Sequence, residues 1–147
     1  MKHLLSTLAA ILLMSSALAA QSKAANSPSP LSTHRILVDL TTVLSDGWAL
    51  TLSNVEGLKR HFKDDSEIEV VVHGPAVSML YRNDVDFAAR ILQLHNAGVR
   101  FVVGTSTVEL THAKKDDLFP FVEFVPSSIA EIVVRQEQGW SYIKGGY

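Results

Sequence analysis

Residues 68–75 have the sequence Ile-Glu-Val-Val-Val-His-Gly-Pro, and this short apolar run decides the fold. Consecutive β-branched residues predict a strand that is covered on both faces, and the Gly-Pro pair ends it abruptly. Comparable apolar runs occupy residues 35–40, 99–103 and 121–125. Strands of this kind are typical of parallel sheets, in which helices cover both faces.

Helical periodicity fills the segments between these runs. Between the first two strands the apolar residues recur at steps of four and three, which places them on one face of a helix. These residues are Trp48, Leu52, Val55, Leu58 and Phe62. A second helix is predicted over residues 85–96, and the polar segment 106–117 has room for a short one.

The last helix carries a capping signal. Ser128 is predicted to cap its first turn together with Glu131, and Ile129, Ile132 and Val133 are predicted to form its buried stripe. Residues 140–143 then predict a short fifth strand.

This alternation of strands and helices predicts an α/β fold of three layers. The expected architecture is a mostly parallel sheet of about five strands flanked by helices. In such folds ligands gather at the carboxyl ends of the strands. The sequence therefore indicates where a site would lie before it indicates its chemistry.

The first residues have the pattern of a cleavable export signal. Lys2 and His3 precede an apolar stretch, and Ala17-Leu18-Ala19 matches an A-x-A cleavage site. The apolar stretch is shorter than the roughly 20 residues that cross a bilayer, so no membrane association is expected after cleavage. We predict a signal peptide over residues 1–19, a flexible leader over 20–34, one domain over 35–147, and a periplasmic location.

Composition excludes two classes of function. The formal net charge is −2, and no cluster of basic residues exceeds the pair Lys114-Lys115, so nucleic acid is not an expected partner. The 147 residues contain no cysteine, so none of them can perform thiol chemistry.

Five short motifs occur in a characteristic order. They are residues 69–75 with Leu80, residues 98–101, Val125-Pro126, Arg135-Gln136 and residues 139–144. Together they resemble the DsrE-like family of sulfur-relay proteins over most of residues 35–144. The resemblance implies a sheet of this kind and a homo-oligomer, either a trimer or a hexamer.

Active members of that family pass sulfur as a persulfide on a cysteine that follows a phenylalanine-containing strand. Residues 101–107 here are Phe-Val-Val-Gly-Thr-Ser-Thr, which places Gly104 at the position of that cysteine. Neither glycine nor a neighbouring hydroxyl can carry a transferable sulfane sulfur. The resemblance therefore implies the fold but not the persulfide reaction.

The strand ends supply the candidate ligand-binding residues. They are Asp39, His73, Gly74, Gly104, Thr105, Ser106 and Thr107. His73 has the chemistry to bind an anion, relay a proton or ligate a metal, or it only fixes the turn at Gly74. Asp39 is its companion at the same edge, or it caps Thr41 or Thr42. The hydroxyls and N–H groups of residues 104–107 either cradle an anion or cap their own turns.

Other patterns carry less weight. Residues 104–108 approach the G-x-S-x-G elbow of serine hydrolases, but Val108 replaces its closing glycine. His112 with Asp116, and His61 with Asp64 and Asp65, form no three-ligand set of recognisable spacing. We expect no metal, no cofactor and no catalytic residue.

The leading hypothesis is an exported, non-catalytic DsrE-like protein. It would bind a small sulfur compound or another anion at the strand ends, or act as an oligomeric assembly module in sulfur metabolism. Two alternatives stay open: a small enzyme that uses His73 and Asp39 for acid–base chemistry, and a structural subunit of a hetero-oligomer with a cysteine-bearing relative.

Overall fold

The computed structural model describes residues 33–84 and 86–146. The predicted signal peptide, nearly all of the predicted leader, and Val85 at the start of the predicted second helix lie outside the described residues. Within them, five strands form one sheet in which every neighbouring pair is parallel. The predicted α/β fold is confirmed.

The strands follow one another across the sheet in the order β4-β3-β2-β1-β5. They are β1 (His34–Leu40), β2 (Ser66–Val72), β3 (Arg100–Gly104), β4 (Glu123–Val125) and β5 (Ser141–Gly145). The helices are α1 (Ser45–Phe62), α2 (Ala88–Asn96), α3 (Thr105–Thr111) and α4 (Ser128–Glu137), with 3₁₀ helices at Gly74–Leu80 and Lys115–Asp117. Each predicted strand is present, and its bounds differ from the prediction by at most a few residues.

The sheet separates two apolar clusters, because side chains alternate between its faces along each strand. The larger cluster joins alternate residues of β1, β2 and β3 to α1, α2 and α3. The smaller one contains Leu37, Val71 and Val102 from the opposite face, with Ile132 of α4 and Trp140. We call this second side the α4 face of the sheet. Helices on both faces give the three layers that the sequence predicts.

Helix α1 confirms the periodicity from which it was predicted. Trp48, Leu52 and Val55 are buried, and Leu58 and Phe62 pack against the larger cluster. A long helix with one continuous apolar stripe is well specified by its sequence, because the stripe has a single face of the sheet to cover.

Helix α4 differs from its prediction in two respects. The capping residue is Ser127, whose hydroxyl accepts the Ala130 N–H at 3.3 Å, and Ser128 lies buried in the first turn. The predicted stripe is wrong except for Ile132, since Ile129 is 57% exposed and Val133 is 48% exposed.

The reason for this orientation lies in the polar side chains of the same helix. Ser128, Ile132 and Arg135 lie on one line along α4, at the helical spacing of four and three residues. Arg135 and Glu131 take part in an ion-pair network on the sheet, so this line faces inward and Ile129 turns outward.

No helix in the described part of the chain combines the length and apolar character that crossing a bilayer requires.

Candidate functional site

The carboxyl ends of β1 and β2 bring Asp39 and His73 into direct contact. The two strands pair in parallel, and both side chains lie on the α4 face. His73 Nε2 lies 2.7 Å from Asp39 Oδ1, and the His73 N–H donates to the carbonyl of Leu40 at 3.0 Å. The main chain and the carboxylate together fix the position of the imidazole.

Tyr142 of β5 completes this group. Its hydroxyl donates to Asp39 Oδ2 at 2.7 Å. This hydrogen bond, together with burial and the charge of Asp39, raises the pKa of Tyr142 to about 12. We call Asp39, His73 and Tyr142 the Asp39 cluster.

Sequence reasoning missed Tyr142, because the contact depends on how β5 pairs with β1. The register places Tyr142 beside Leu37 on the α4 face, two residues before the level of Asp39. Pairing between the first and last strands leaves no local signal in the sequence, although the alternation of β5 would have placed Tyr142 on the same face as Asp39 once the strand order was known.

We expect Asp39→Asn to lower the pKa of Tyr142 from about 12 toward the ordinary value near 10, because the substitution removes the negative charge and the strong acceptor. Alkaline spectrophotometric titration of tyrosine ionisation measures this shift. Tyr142→Phe identifies the signal, since the tyrosine ionisation at the highest pH should be absent from its titration. If that ionisation stayed at the same pH in Asp39→Asn, the assignment would be contradicted.

The segment from Gly104 to Thr107 forms a second group, at the end of β3. The Gly104 N–H donates to Ser128 Oγ at 2.7 Å, and Thr107 Oγ1 lies 3.5 Å from the same oxygen. Thr105 Oγ1 donates to the carbonyl of Pro126 at 3.2 Å. These contacts lead to the segment before α4 and to its first turn, and α3 has no side-chain cap at its N-terminus. They occupy two of the groups that an anion cradle would use and connect the end of β3 to the start of α4.

Gly104 has no room for a side chain. A Cβ atom there would lie 2.5 Å from the backbone nitrogen of Ser128 and 2.7 Å from its Oγ. The Ser128 hydroxymethyl group therefore occupies the space in which a side chain of residue 104 would begin.

The predicted site residues thus fall into two groups that adjoin at Val72. Asp39 and His73 lie in one group, followed by Gly74 with a φ of 57°. Gly104 and the three hydroxyl residues after it lie in the other. The carbonyl of Val72 is 3.5 Å from Ser128 Oγ, but no hydrogen bond joins the two groups directly within residues 33–84 and 86–146.

A buried carboxylate lies further down the α4 face. Glu69 in the middle of β2 is 0% exposed, and it pairs with Arg100 Nη1 at 2.6 Å and with Arg135 Nη2 at 2.9 Å. Burial raises the pKa of Glu69, while the two arginines act in the opposite direction. The guanidinium of Arg135 also lies 4.8 Å from the ring centre of Trp140.

The same network reaches the edge strand. Arg100 Nε donates to Glu123 Oε1 at 2.9 Å, and this bond holds the pKa of Glu123 below its usual value. The signal for such a network was present in the sequence as the acidic residue Glu69 between Ile68 and Val70 in an apolar run, because a buried carboxylate requires partners.

For the metal candidates, the described residues contain no group of three or more His, Asp or Glu side chains placed to hold an ion.

Comparison with known proteins identifies the family. The family model described as DsrE/DsrF-like matches residues 13–144. Among solved structures, the protein of unknown function MTH1491 from Methanobacterium thermoautotrophicum is 31% identical with a TM-score of 0.71, and the match covers 76% of this chain and 98% of that one. No curated protein matches. The resemblance drawn from the motifs is confirmed, and the chain belongs to the DsrE/DsrF-like family.

Proposed function

We propose that this protein is an exported, non-catalytic member of the DsrE/DsrF-like family that binds a small sulfur compound or a similar small ligand at the carboxyl ends of its strands. The observation that carries the proposal is the Asp39 cluster. Its imidazole is 18% exposed, and its position is held by a carboxylate that is itself hydrogen-bonded to Tyr142.

The sulfur chemistry of this proposal is binding rather than relay. The chain has no cysteine, and the position at which the family resemblance places one is Gly104, against Ser128. A sulfur compound would therefore be held by hydrogen bonds and charge, because no residue of this chain can form a persulfide with it.

Native mass spectrometry and thermal unfolding with sulfide, small thiols, sulfite and thiosulfate test this function. At least one of these compounds should remain bound or raise the unfolding temperature, because a ligand that binds only the folded state stabilises it. His73→Gln should abolish the effect, whereas His61→Gln, an exposed histidine outside the cluster, should leave it intact. Equal responses in both variants would place the binding elsewhere.

An acid–base enzyme is the second candidate, because the pairing of His73 with Asp39 is the arrangement that orients an imidazole as a base. Detectable turnover of a sulfur compound by the wild type, lost in His73→Gln and kept in His61→Gln, would favour this candidate over simple binding.

The outward surface of α4 favours homo-oligomeric assembly, which belongs to the same proposal. Ile129, Val133 and Val134 are large apolar residues exposed on this one helix. Exposed apolar side chains that adjoin one another are typical of contact surfaces between proteins. A second copy of this chain is the partner that we propose, as a trimer or a hexamer.

Size-exclusion chromatography with light scattering tests the assembly. The double substitution Ile129→Glu and Val133→Glu should reduce the assembly to monomers with unchanged circular dichroism, because charges in an apolar contact lose their hydration without gaining partners. Leu110→Glu is the matched control, since Leu110 is also exposed but belongs to α3. A monomeric wild type would refute the assembly, and co-purification of a different subunit would favour a hetero-oligomer.

A further inference from the structure

Both oxygens of the Asp39 carboxylate have partners. Oδ1 lies 2.7 Å from His73 Nε2, and Oδ2 accepts the hydroxyl hydrogen of Tyr142 at 2.7 Å. A carboxylate only accepts hydrogen bonds, so the nitrogen that faces it must be a donor. Neutral His73 therefore carries its proton on Nε2, and Nδ1 is left with a lone pair.

The Nδ1 atom of His73 is available to a ligand. It has no hydrogen-bond partner among the described residues. Since none of the buried side-chain nitrogen or oxygen atoms in that part of the chain lacks a partner, Nδ1 is not buried. The imidazole keeps part of its surface exposed. A neutral acceptor that is reachable from solvent thus lies at the strand ends.

The surroundings of this acceptor are unfavourable for an ionised anion. Asp39 places a negative charge on the other side of the same ring. Two donors of the adjoining group at the end of β3 are occupied, since Gly104 N–H bonds to Ser128 and Thr105 Oγ1 bonds to Pro126. Lys144, a cation on the same face, lies in register with Asp39 on the neighbouring strand.

We infer that the site selects a small protic ligand, such as a thiol or hydrogen sulfide, which donates a hydrogen bond to His73 Nδ1, and that it discriminates against fully ionised oxyanions. Tyr142 acts as a positioning residue, because it holds the carboxylate that fixes the tautomer of His73. This inference rests on the proposed binding function and names its ligand class.

The inference predicts a defined pH dependence. Thiol binding should weaken as acid protonates the His73 ring, because a protonated Nδ1 becomes a donor. Oxyanion binding would strengthen as the ring becomes charged. The charged groups on the α4 face beside the cluster are Asp39 of β1, Lys144 of β5, and Glu131 of α4, which is paired with Arg135. Further down the same face lie Glu69, Arg100 and Glu123, which form ion pairs with one another and with Arg135.

Nitrogen NMR of the histidine rings tests the tautomer without any ligand, with the His73 signals assigned by their loss in His73→Gln. The neutral ring of the wild type should show a protonated Nε2 and an unprotonated Nδ1. Tyr142→Phe should shift His73 toward a mixture of tautomers, whereas Tyr81→Phe should not, because the Tyr81 hydroxyl has no hydrogen-bond partner in the described part of the chain. A protonated Nδ1 in the wild type would overturn the inference.

Titration of the same samples with 2-mercaptoethanol and with thiosulfate tests the ligand class. The thiol should perturb the His73 Nδ1 signal and bind on the order of fivefold more weakly to Tyr142→Phe, which loses one orienting hydrogen bond. Thiosulfate should leave the signal unchanged. Thiosulfate binding that strengthens toward acidic pH would overturn the ligand class and leave the proposed binding function standing, whereas failure of every sulfur compound to bind would remove both.

Discussion

Gly104→Ala should destabilise the folded domain by about 2–3 kcal/mol. The added methyl group would lie 2.5 Å from the Ser128 backbone nitrogen, and backbone atoms cannot rotate away as the end of a side chain can. Relief requires the end of β3 to separate from the first turn of α4, which also lengthens the 2.7 Å bond from Gly104 N–H to Ser128 Oγ. Urea denaturation of the wild type and the variant measures the difference.

Gly57→Ala is the matched control. Gly57 lies inside α1, and a Cβ there would meet only a guanidinium nitrogen of Arg60 at 3.8 Å. Alanine is a better helix former than glycine and narrows the unfolded ensemble, so this variant should be more stable by up to about 1 kcal/mol. If both variants changed stability by the same amount and sign, crowding at Gly104 would not be the cause.

The Cβ atom of a cysteine at position 104 would make the same close contacts. Gly104→Cys should therefore be destabilised at least as much as Gly104→Ala. Combining it with Ser128→Gly should recover part of the loss, because the Oγ contact at 2.7 Å disappears and the backbone of residue 128 gains freedom to adjust. The position that the family resemblance assigns to the thiol is thus coupled to a residue 24 positions away, so a single substitution would not restore sulfur relay.

Patterns within single elements were predictable from the sequence. The strands of the sheet and the apolar stripe of α1 follow from the hydrophobic pattern of residues that are close together in the sequence. The pairing of Asp39 with His73 was also accessible, because both residues lie at the carboxyl ends of adjacent parallel strands.

Other contacts between distant segments were not predictable. The capping role was assigned to Ser128, but Ser127 caps α4, because the Ser128 side chain instead bonds to Gly104. The contact of Tyr142 with Asp39 depends on the order of the strands, which local periodicity does not encode. In both cases the deciding partner is remote in sequence, and a single sequence gives no information about it.

Arg135→Met should cost about 3 kcal/mol of stability, because it removes one of the two arginines that neutralise the buried Glu69. Methionine keeps much of the apolar bulk against Trp140, so the loss reports mainly on charge. Arg90→Met is the control, since Arg90 pairs with a partly exposed Glu56, and its loss should cost about 1 kcal/mol or less.

The dependence of the Arg135→Met effect on pH identifies Glu69 as its cause. Burial already raises the pKa of Glu69 in the folded state, and removing an arginine that lowers it should raise it further. The folded variant then binds more protons than the unfolded chain between the ordinary glutamate pKa and the raised value, so its stability falls as the pH rises through that range. The difference in stability between wild type and variant should accordingly shrink toward acidic pH.

Glu69→Gln combined with Arg135→Met should recover part of the loss at neutral pH, because a neutral amide in the sheet does not require a second cation. A loss that is independent of pH and unrelieved by Glu69→Gln would show that Arg135 stabilises the domain through packing on Trp140 rather than through the buried carboxylate.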